Sequence, residues 1–397
     1  ARGNKSFSAI ATLDFSKAFD CLDHHVLLSK LSSKGLSATC MEWFGSYLLR
    51  RTQCVRYNIT LSDPLPLTTG VPQGSVFGPL LFNIYIDELL HSLPDGSCLA
   101  YADDVTLITS GKSLDDVTHQ LQALLNTTAN WAISNRLSFS HSKCNVMVVP
   151  VSPRKAPSCL TLDGKKLEVV EHVTILGVDI CSDLTWTRQV QKTCGKISVC
   201  LAVLRRLGSS MNTNTRQQVF SGFVKSRLNY CLPVWGNTST ACQNQINGLL
   251  KRSARFILNK HDACLDVSVF DTTGLCNFRL HVLQANSSAI FNIIKAATDR
   301  FCACKLLAIS QKRCSRATLS NKLEHNVMKR KCDNSCFLSA AVTDWNSLPN
   351  DVTACSSFRS FNSGLNNMLK IASNVMFLSI FPITMNCTCP IFISLLF

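Results

Sequence analysis

Between Asp183 and Asp262 the chain has no Asp or Glu, while twelve Lys and Arg fall in the same stretch. Acid is scarce throughout: 25 Asp and Glu against 40 Lys and Arg leave a formal charge of +15, although only 16% of the 397 residues are charged. So large an imbalance among so few charges points to a polyanionic partner, either nucleic acid or a membrane surface. Internal repeats are lacking, and so are a Gly-rich Walker loop and a Ser–His–Asp pattern, which argues against a repeat array, a P-loop nucleotidase and a serine hydrolase. The Cys spacings Cys302-x-Cys304, Cys332-x3-Cys336 and Cys387-x-Cys389 do not supply the paired C-x2-C and histidine pattern of ordinary zinc modules. His325 with Cys332 and Cys336 is at most a degenerate knuckle. A secretory leader is not expected, because Phe7 to Phe15 contains Asp14 and no small-residue cleavage site.

What remains is apolar and long enough for two or three domains, with 46% hydrophobic residues. The 21 cysteines are odd in number and scattered through apolar segments, so they read as reduced, buried side chains of an intracellular protein. Residues 371–397 carry no charge, but Asn374, Pro382, Asn386 and Pro390 interrupt them, and a membrane span is not expected.

Residues 7–14 read as a strand ending in a carboxylate, and residues 18–31 follow with helical apolar spacing at Leu22, Leu27, Leu28 and Leu31. Thr69-Gly70-Val71-Pro72 ends an irregular stretch before a helix over Val76 to Leu90. Cys98 to Thr109 suits a hairpin with Asp103 and Asp104 at its turn, and Leu114 to Trp131 is helical again. Asp163-Gly164 marks a second hairpin within Leu160 to Val170, and Ile175 to Ile180 supplies a short strand. The pattern is α+β. In the acid-free stretch a helix turns Val190, Cys194, Ile197, Leu201 and Leu204 to one side and Arg188, Lys192, Lys196 and Arg206 to the other. With no acid nearby in sequence, that basic face is expected to meet the polyanion.

Three carboxylates carry the chemistry. Asp14 at a strand end and Asp103 and Asp104 at a turn can converge on hard cations, which take oxygen ligands and leave room for substrate phosphates. Two such ions suit phosphoryl transfer.

On these residues the sequence resembles a known family. Leu13-Asp14-Phe15-Ser16-Lys17-Ala18-Phe19-Asp20, Gly70-Val71-Pro72-Gln73-Gly74-Ser75 with Gly78-Pro79-Leu80-Leu81-Phe82, and Tyr101-Ala102-Asp103-Asp104 look like motifs A, B and C of reverse transcriptases, in order and spacing. Asp23-His24-His25, Trp43-Phe44, Tyr47-Leu48, Arg51-Thr52-Gln53 and Asn135-Arg136-Leu137 are similar to the non-LTR (LINE-type, jockey-like) retrotransposon polymerases.

The resemblance implies a right-hand polymerase. Residues 1–150 would form the palm with part of the fingers, 151–183 primer-grip hairpins, 184–262 a basic helical thumb and 263–370 a helical C-terminal region, with 371–397 an apolar tail. It implies RNA-directed DNA synthesis: attack of a primer 3′-OH on a dNTP, with two Mg²⁺ ions, or Mn²⁺ in their place. Asp14, Asp103, Asp104 and the Phe15 carbonyl would hold metal. Phe19 would sit under the sugar, Gln73 and Gly74 against the nucleotide and template, and Lys143 near the leaving pyrophosphate. Arg188, Lys192, Lys196 and Arg206 would contact an RNA template and DNA primer or target, in the nucleus or cytoplasm. Motif A begins so early that the family's upstream fingers motifs would precede Ala1, a truncation at the N-terminus. Phe77 stands where relatives often have Leu or Ile, and Val105 where they often have Thr. The alternatives are an inactive retroelement remnant that only binds nucleic acid, and an RNA-dependent RNA polymerase, against which Tyr-Ala-Asp-Asp and Phe19 argue.

Overall fold

In a computed structural model the protein is described over residues 7–149, 159–207, 211–259, 273, 275–296, 307–309, 323–325 and 337–374. The chain divides into two compact units, Gly3–Val173 and Thr174–Phe397.

The first unit is built on a five-stranded sheet. Strand β1 (Phe7–Asp14), the strand expected from the sequence, lies at its centre. In chain order follow α1 (His24–Ser33), α2 (Ala38–Leu48), the short strands β2 (Arg51–Gln53), β3 (Arg56–Tyr57), β4 (Thr60–Leu61) and β5 (Leu65–Leu67), and α3 (Phe77–Ser92). Then come β6 (Cys98–Tyr101), β7 (Asp104–Gly111), α4 (Leu114–Ser134), β8 (Asn145–Val149), β9 (Thr161–Leu162), β10 (Lys165–Lys166) and β11 (Glu168–Val169). The sheet order is β11-β8-β1-β7-β6, antiparallel except for the β11–β8 pair.

Side chains alternate across β1, so Ala9, Ala11 and Leu13 enter the core with Leu81, Phe82 and Tyr85 of α3 and Val117, Leu121 and Leu125 of α4. Asp14 shares the other face with Ile10 and Thr12, whose register partners on β7 are Ile108 and Thr106. The same periodicity that packs the strand thus turns its terminal acid away from the core. Ser113 caps α4 by accepting from the Asp116 N–H, and Asp115 and Asp116 favour its positive end.

Two expectations are corrected here. Residues 18–31 are not one helix: a single 3₁₀ turn, Ala18–Asp20, is followed by a break, and Asp23 caps a new start at His24 by accepting from the Val26 N–H. The stretch before Thr69 is not irregular, since β2 pairs β5 and β3 pairs β4 in nested hairpins.

The boundary between the units falls within β12 (His172–Ile175), and β13 (Val178–Cys181) follows in the second. The single strand expected over Ile175 to Ile180 is instead a hairpin turning on Leu176 (φ 48°) and Gly177 (φ 80°). Two consecutive left-handed residues make the tight turn such strands require. Helices follow: α5 (Thr187–Leu207), α6 (Thr213–Phe220), a π-turn at Ser221–Lys225, α7 (Ser226–Asn229), α8 (Leu232–Trp235) and α9 (Thr240–Leu258). The predicted apolar face of α5 packs with Phe220, Trp235, Ile246, Leu250 and Phe278 in one core. A further core joins α10 (Phe278–Ala296), α11 (Phe337–Asn346) and α12 (Phe358–Asn374), where the Phe361 ring stacks on Phe291 and Trp345. No described helix is long and apolar enough to cross a membrane. The apolar stretch 375–397 and the cysteines Cys332 and Cys336 lie outside the described residues.

Candidate active site and nucleic-acid interface

Two of the three acids face each other at one end of the sheet, and the third stands on the adjoining turn. Antiparallel pairing puts Asp14 directly opposite Asp104, and Tyr101 opposite Asp104 closes the β6–β7 hairpin over Ala102 and Asp103. Ala102 takes a left-handed φ of 52°, a conformation that costs a non-glycine residue on the order of 1 kcal/mol or more. Like charges directly opposite one another destabilise a sheet, so this pair is not there for the sheet's sake. Partial burial, with the nearby Asp103 and Asp14 carboxylates, pushes the Asp104 carboxyl above the usual range, and only the Lys143 charge counters.

Lys143 lies in the 3₁₀ turn His141–Lys143 just before β8, and its ammonium sits 3.3 Å from Asp14 Oδ2. The resemblance assigned Lys143 to the leaving group; its contact here is Asp14. Phe15 is buried, with its ring stacked on Phe139 at 4.9 Å and tilted against Trp131. Phe19 is half-buried and rests on Phe82 at 4.9 Å, so it is a core anchor with part of its surface open.

The loop from Thr69 is sewn to the segment after β1. Gly70 N–H donates to the Leu22 carbonyl, Val71 N–H to the Phe19 carbonyl, and Thr69 Oγ1 to the Asp20 carbonyl. A side chain at Gly70 would meet the Asp20 backbone at 2.7 Å, and its φ of +86° independently calls for glycine. Gln73 donates to Asp20 Oδ1 at 2.7 Å. Gly74 has φ +80° with open space around it. Both residues are exposed beside the carboxylate-bearing segment.

Three positioning residues escaped the sequence. His24 Nε2 donates to the Gly70 carbonyl at 2.7 Å, Asp20 holds Gln73, and the Cys144 sulfur accepts from the Asp14 N–H at 3.4 Å. Each spans 46 to 130 positions of chain, which local pattern does not encode.

On α5 the expectation of unpaired cations is corrected for two of the four. Asp179 on β13 pairs with Lys192 at 2.5 Å and Arg188 at 3.5 Å. The acid comes from before the acid-free stretch, through the turn at Leu176–Gly177. Burial raises Asp179, but bonds from Lys192 and Thr174 outweigh it and hold the carboxyl below the usual range. Lys196 and Arg206 are exposed and have no acid partner among the described residues. Arg227 reaches the Lys196 carbonyl and Arg252 the Ser198 hydroxyl, so cations of α5, α7 and α9 gather on one turn of α5.

A family model described as reverse transcriptase (RNA-dependent DNA polymerase) matches residues 1–180. Those residues form a reverse transcriptase domain of the non-LTR retrotransposon type. Among the proteins this chain resembles are the probable RNA-directed DNA polymerase from transposon BS of Drosophila melanogaster and the RNA-directed DNA polymerase from mobile element jockey of Drosophila funebris. The first is 29% identical over 268 residues, 64% of this chain and 29% of the relative. The second is 26% identical over 263 residues, 64% of this chain and 28% of the relative. The match therefore spans under a third of either relative's length. Apo telomerase from Candida tropicalis aligns with 70% of this chain and 46% of its own at 13% identity and a TM-score of 0.39, too low to carry an argument.

Within the reverse transcriptase domain, no three His, Cys, Asp or Glu side chains among the described residues form a ready-made metal cluster. A hard divalent cation does not require one: Mg²⁺ is held through one or two carboxylates and completes its shell with water and substrate phosphate. Opposed acids whose negative charge already raises Asp104 fit such an ion better than they fit each other.

Proposed function

We propose that this chain is an RNA-directed DNA polymerase that joins a dNTP to a primer 3′-OH and releases pyrophosphate. The observation that carries this reading is the Asp14–Asp104 pair facing across β1 and β7 with Asp103 at the adjoining turn. Bound there by Asp14, Asp103, Asp104 and the Phe15 carbonyl, Mg²⁺ or Mn²⁺ would supply charge neutralisation for phosphoryl transfer. The chain's own residues supply position. Phe19 offers a ring to the sugar and disfavours a 2′-OH, while Gln73, oriented by Asp20, and Gly74 offer an amide and backbone to the nucleotide. Lys143 balances the carboxylates before substrate arrives and is within reach of the developing phosphate charge. No protein nucleophile is needed.

In this reading residues 1–150 act as palm with partial fingers, and α5 to α9 as a thumb holding the RNA template and DNA primer. Lys196 and Arg206, joined by Arg227 and Arg252, make the phosphate contacts, a sequence-independent and salt-sensitive grip. Free thiols such as Cys144, Cys194 and Cys242 suit a reducing intracellular compartment.

The test is dTTP incorporation on poly(rA)/oligo(dT) with Mg²⁺, wild type beside Asp103→Asn, with rNTPs in parallel. Asp103→Asn should lower incorporation by about 100-fold or more. Equal incorporation would remove Asp103 from the chemistry; no incorporation by the wild type would leave only nucleic-acid binding; a preference for rNTPs would favour an RNA polymerase.

A further inference from the structure

The first unit carries an aromatic surface that the chemistry above does not use. On α2, Trp43 and Tyr47 stack nearly parallel at 5.4 Å, and Phe44 meets Trp43 edge-on. Phe77, the first residue of α3, packs edge-on against all three. Phe44 and Tyr47 also touch the main core, which roots the cluster, while Trp43 remains 49% exposed and Phe77 36%. A core aromatic would be covered, and a solitary exposed ring would need no comment. Here four rings form a fixed stack with an open side.

Its surroundings identify the occupant. The Arg51 guanidinium lies 5.8 Å from the Tyr47 ring centre and bonds the Tyr47 carbonyl. Arg50, Arg51 and Arg56 are exposed and none has an acid partner among the described residues, although Glu42 and Asp63 lie in the same segment. Only two residues separate Phe77 from Gly74 of the proposed nucleotide loop. A rigid aromatic face in a segment that also exposes Arg50, Arg51 and Arg56 without acid partners suits a polymer with flat apolar bases and a phosphate backbone, and the chain's formal charge of +15 favours that occupant. A duplex hides its base faces in its own stack, so the bases must be unpaired.

We propose that Trp43, backed by Tyr47 and Phe77, is a stacking platform for unpaired bases of a single strand whose phosphates lie against Arg50, Arg51 and Arg56. The inference rests on reading this domain as a polymerase, and the platform then holds template not yet copied. Phe77 supplies the fourth ring.

The full chain is titrated with fluorescently labelled oligo(rA), with the same strand made fully abasic, and with the oligo(rA)·oligo(dT) hybrid. Trp43→Ala should weaken oligo(rA) about tenfold, the loss of one stacked base. It should leave abasic strand and hybrid unchanged, and Trp43→Phe should restore most of the affinity. Tryptophan quenching by oligo(rA) in the wild type should diminish in Trp43→Phe, a readout that does not depend on destabilising the fold. Unaltered oligo(rA) affinity in Trp43→Ala, or equal losses on abasic strand, would overturn the proposal. So would self-association abolished by Trp43→Ala with strand binding intact, which would make the surface a contact between copies. Absence of dTTP incorporation by the wild type would defeat the polymerase reading alone, leaving the stacking result to stand or fall separately.

Discussion

At the scale of single residues, the site depends on backbone positions more than on the acids themselves. Gly70 brings the loop over residues 69–75 against the segment that leaves β1, and nothing with a Cβ fits there. Gly70→Ala must therefore both adopt φ +86° and push the Asp20 backbone aside, which should cost about 2 kcal/mol or more. Gly74→Ala meets the same φ problem in open space and should cost about half as much. Comparing the two by denaturant unfolding separates the close approach from the dihedral; equal losses would mean that the Asp20 contact yields freely. Asp14, Asp103 and Asp104 were readable in sequence because a strand and a hairpin carry them. The positioning roles of His24, Asp20 and Cys144 were not, because tertiary contacts over tens of residues leave no local period.

At the scale of elements, periodicity foretold what short-range physics controls and missed what distant residues supply. β1, the β6–β7 hairpin, α4 and the buried face of α5 follow their apolar spacing. Two left-handed residues, Leu176 and Gly177, turned an expected strand into a hairpin, and that hairpin delivers Asp179 to α5. Half of the basic face read from the sequence is consequently spent on structure. Asp179→Asn should lower stability by about 2 kcal/mol, since it removes the buried charge that Lys192 and Arg188 pair with and leaves a neutral amide in its place. The same substitution frees Lys192 and Arg188, so polyanion affinity should rise and steepen in salt dependence by about one or two released counterions. Thermal melting and binding at several salt concentrations check both; a drop in binding would show that the clamp orders the interface. Since Asp179 is held low, its stabilising contribution is present above the ordinary Asp value and is lost as pH falls through the lowered one.

At the scale of the whole molecule, the two compact units carry titrating groups of different kinds, and acid should not treat them alike. The first unit's Asp23 is raised by burial, but the Val26 N–H and the Arg136 side chain more than offset this and leave it below 3.8. Its contribution is therefore lost only as pH falls below the ordinary carboxylate range. The second unit buries His281 in α10 with neither ring nitrogen partnered among the described residues; burial, helped by the Lys225 charge, pushes it down from 6.5 to about 4. An unfolded His281 takes up its proton near 6.5 while the folded one waits until about 4, so stability present above 6.5 drains away across that window. Hydrogen exchange followed from neutral pH to about 4, corrected for intrinsic rates, should show α10 amides losing protection while the β1–β7 ladder keeps its own. His281→Leu removes both the proton uptake and two unsatisfied buried nitrogens, so it should flatten the α10 response and raise the melting temperature at neutral pH. Persistence of the same acid-dependent loss in His281→Leu would assign the sensitivity to another group, and parallel losses in α10 and β1 would mean that the units open as one.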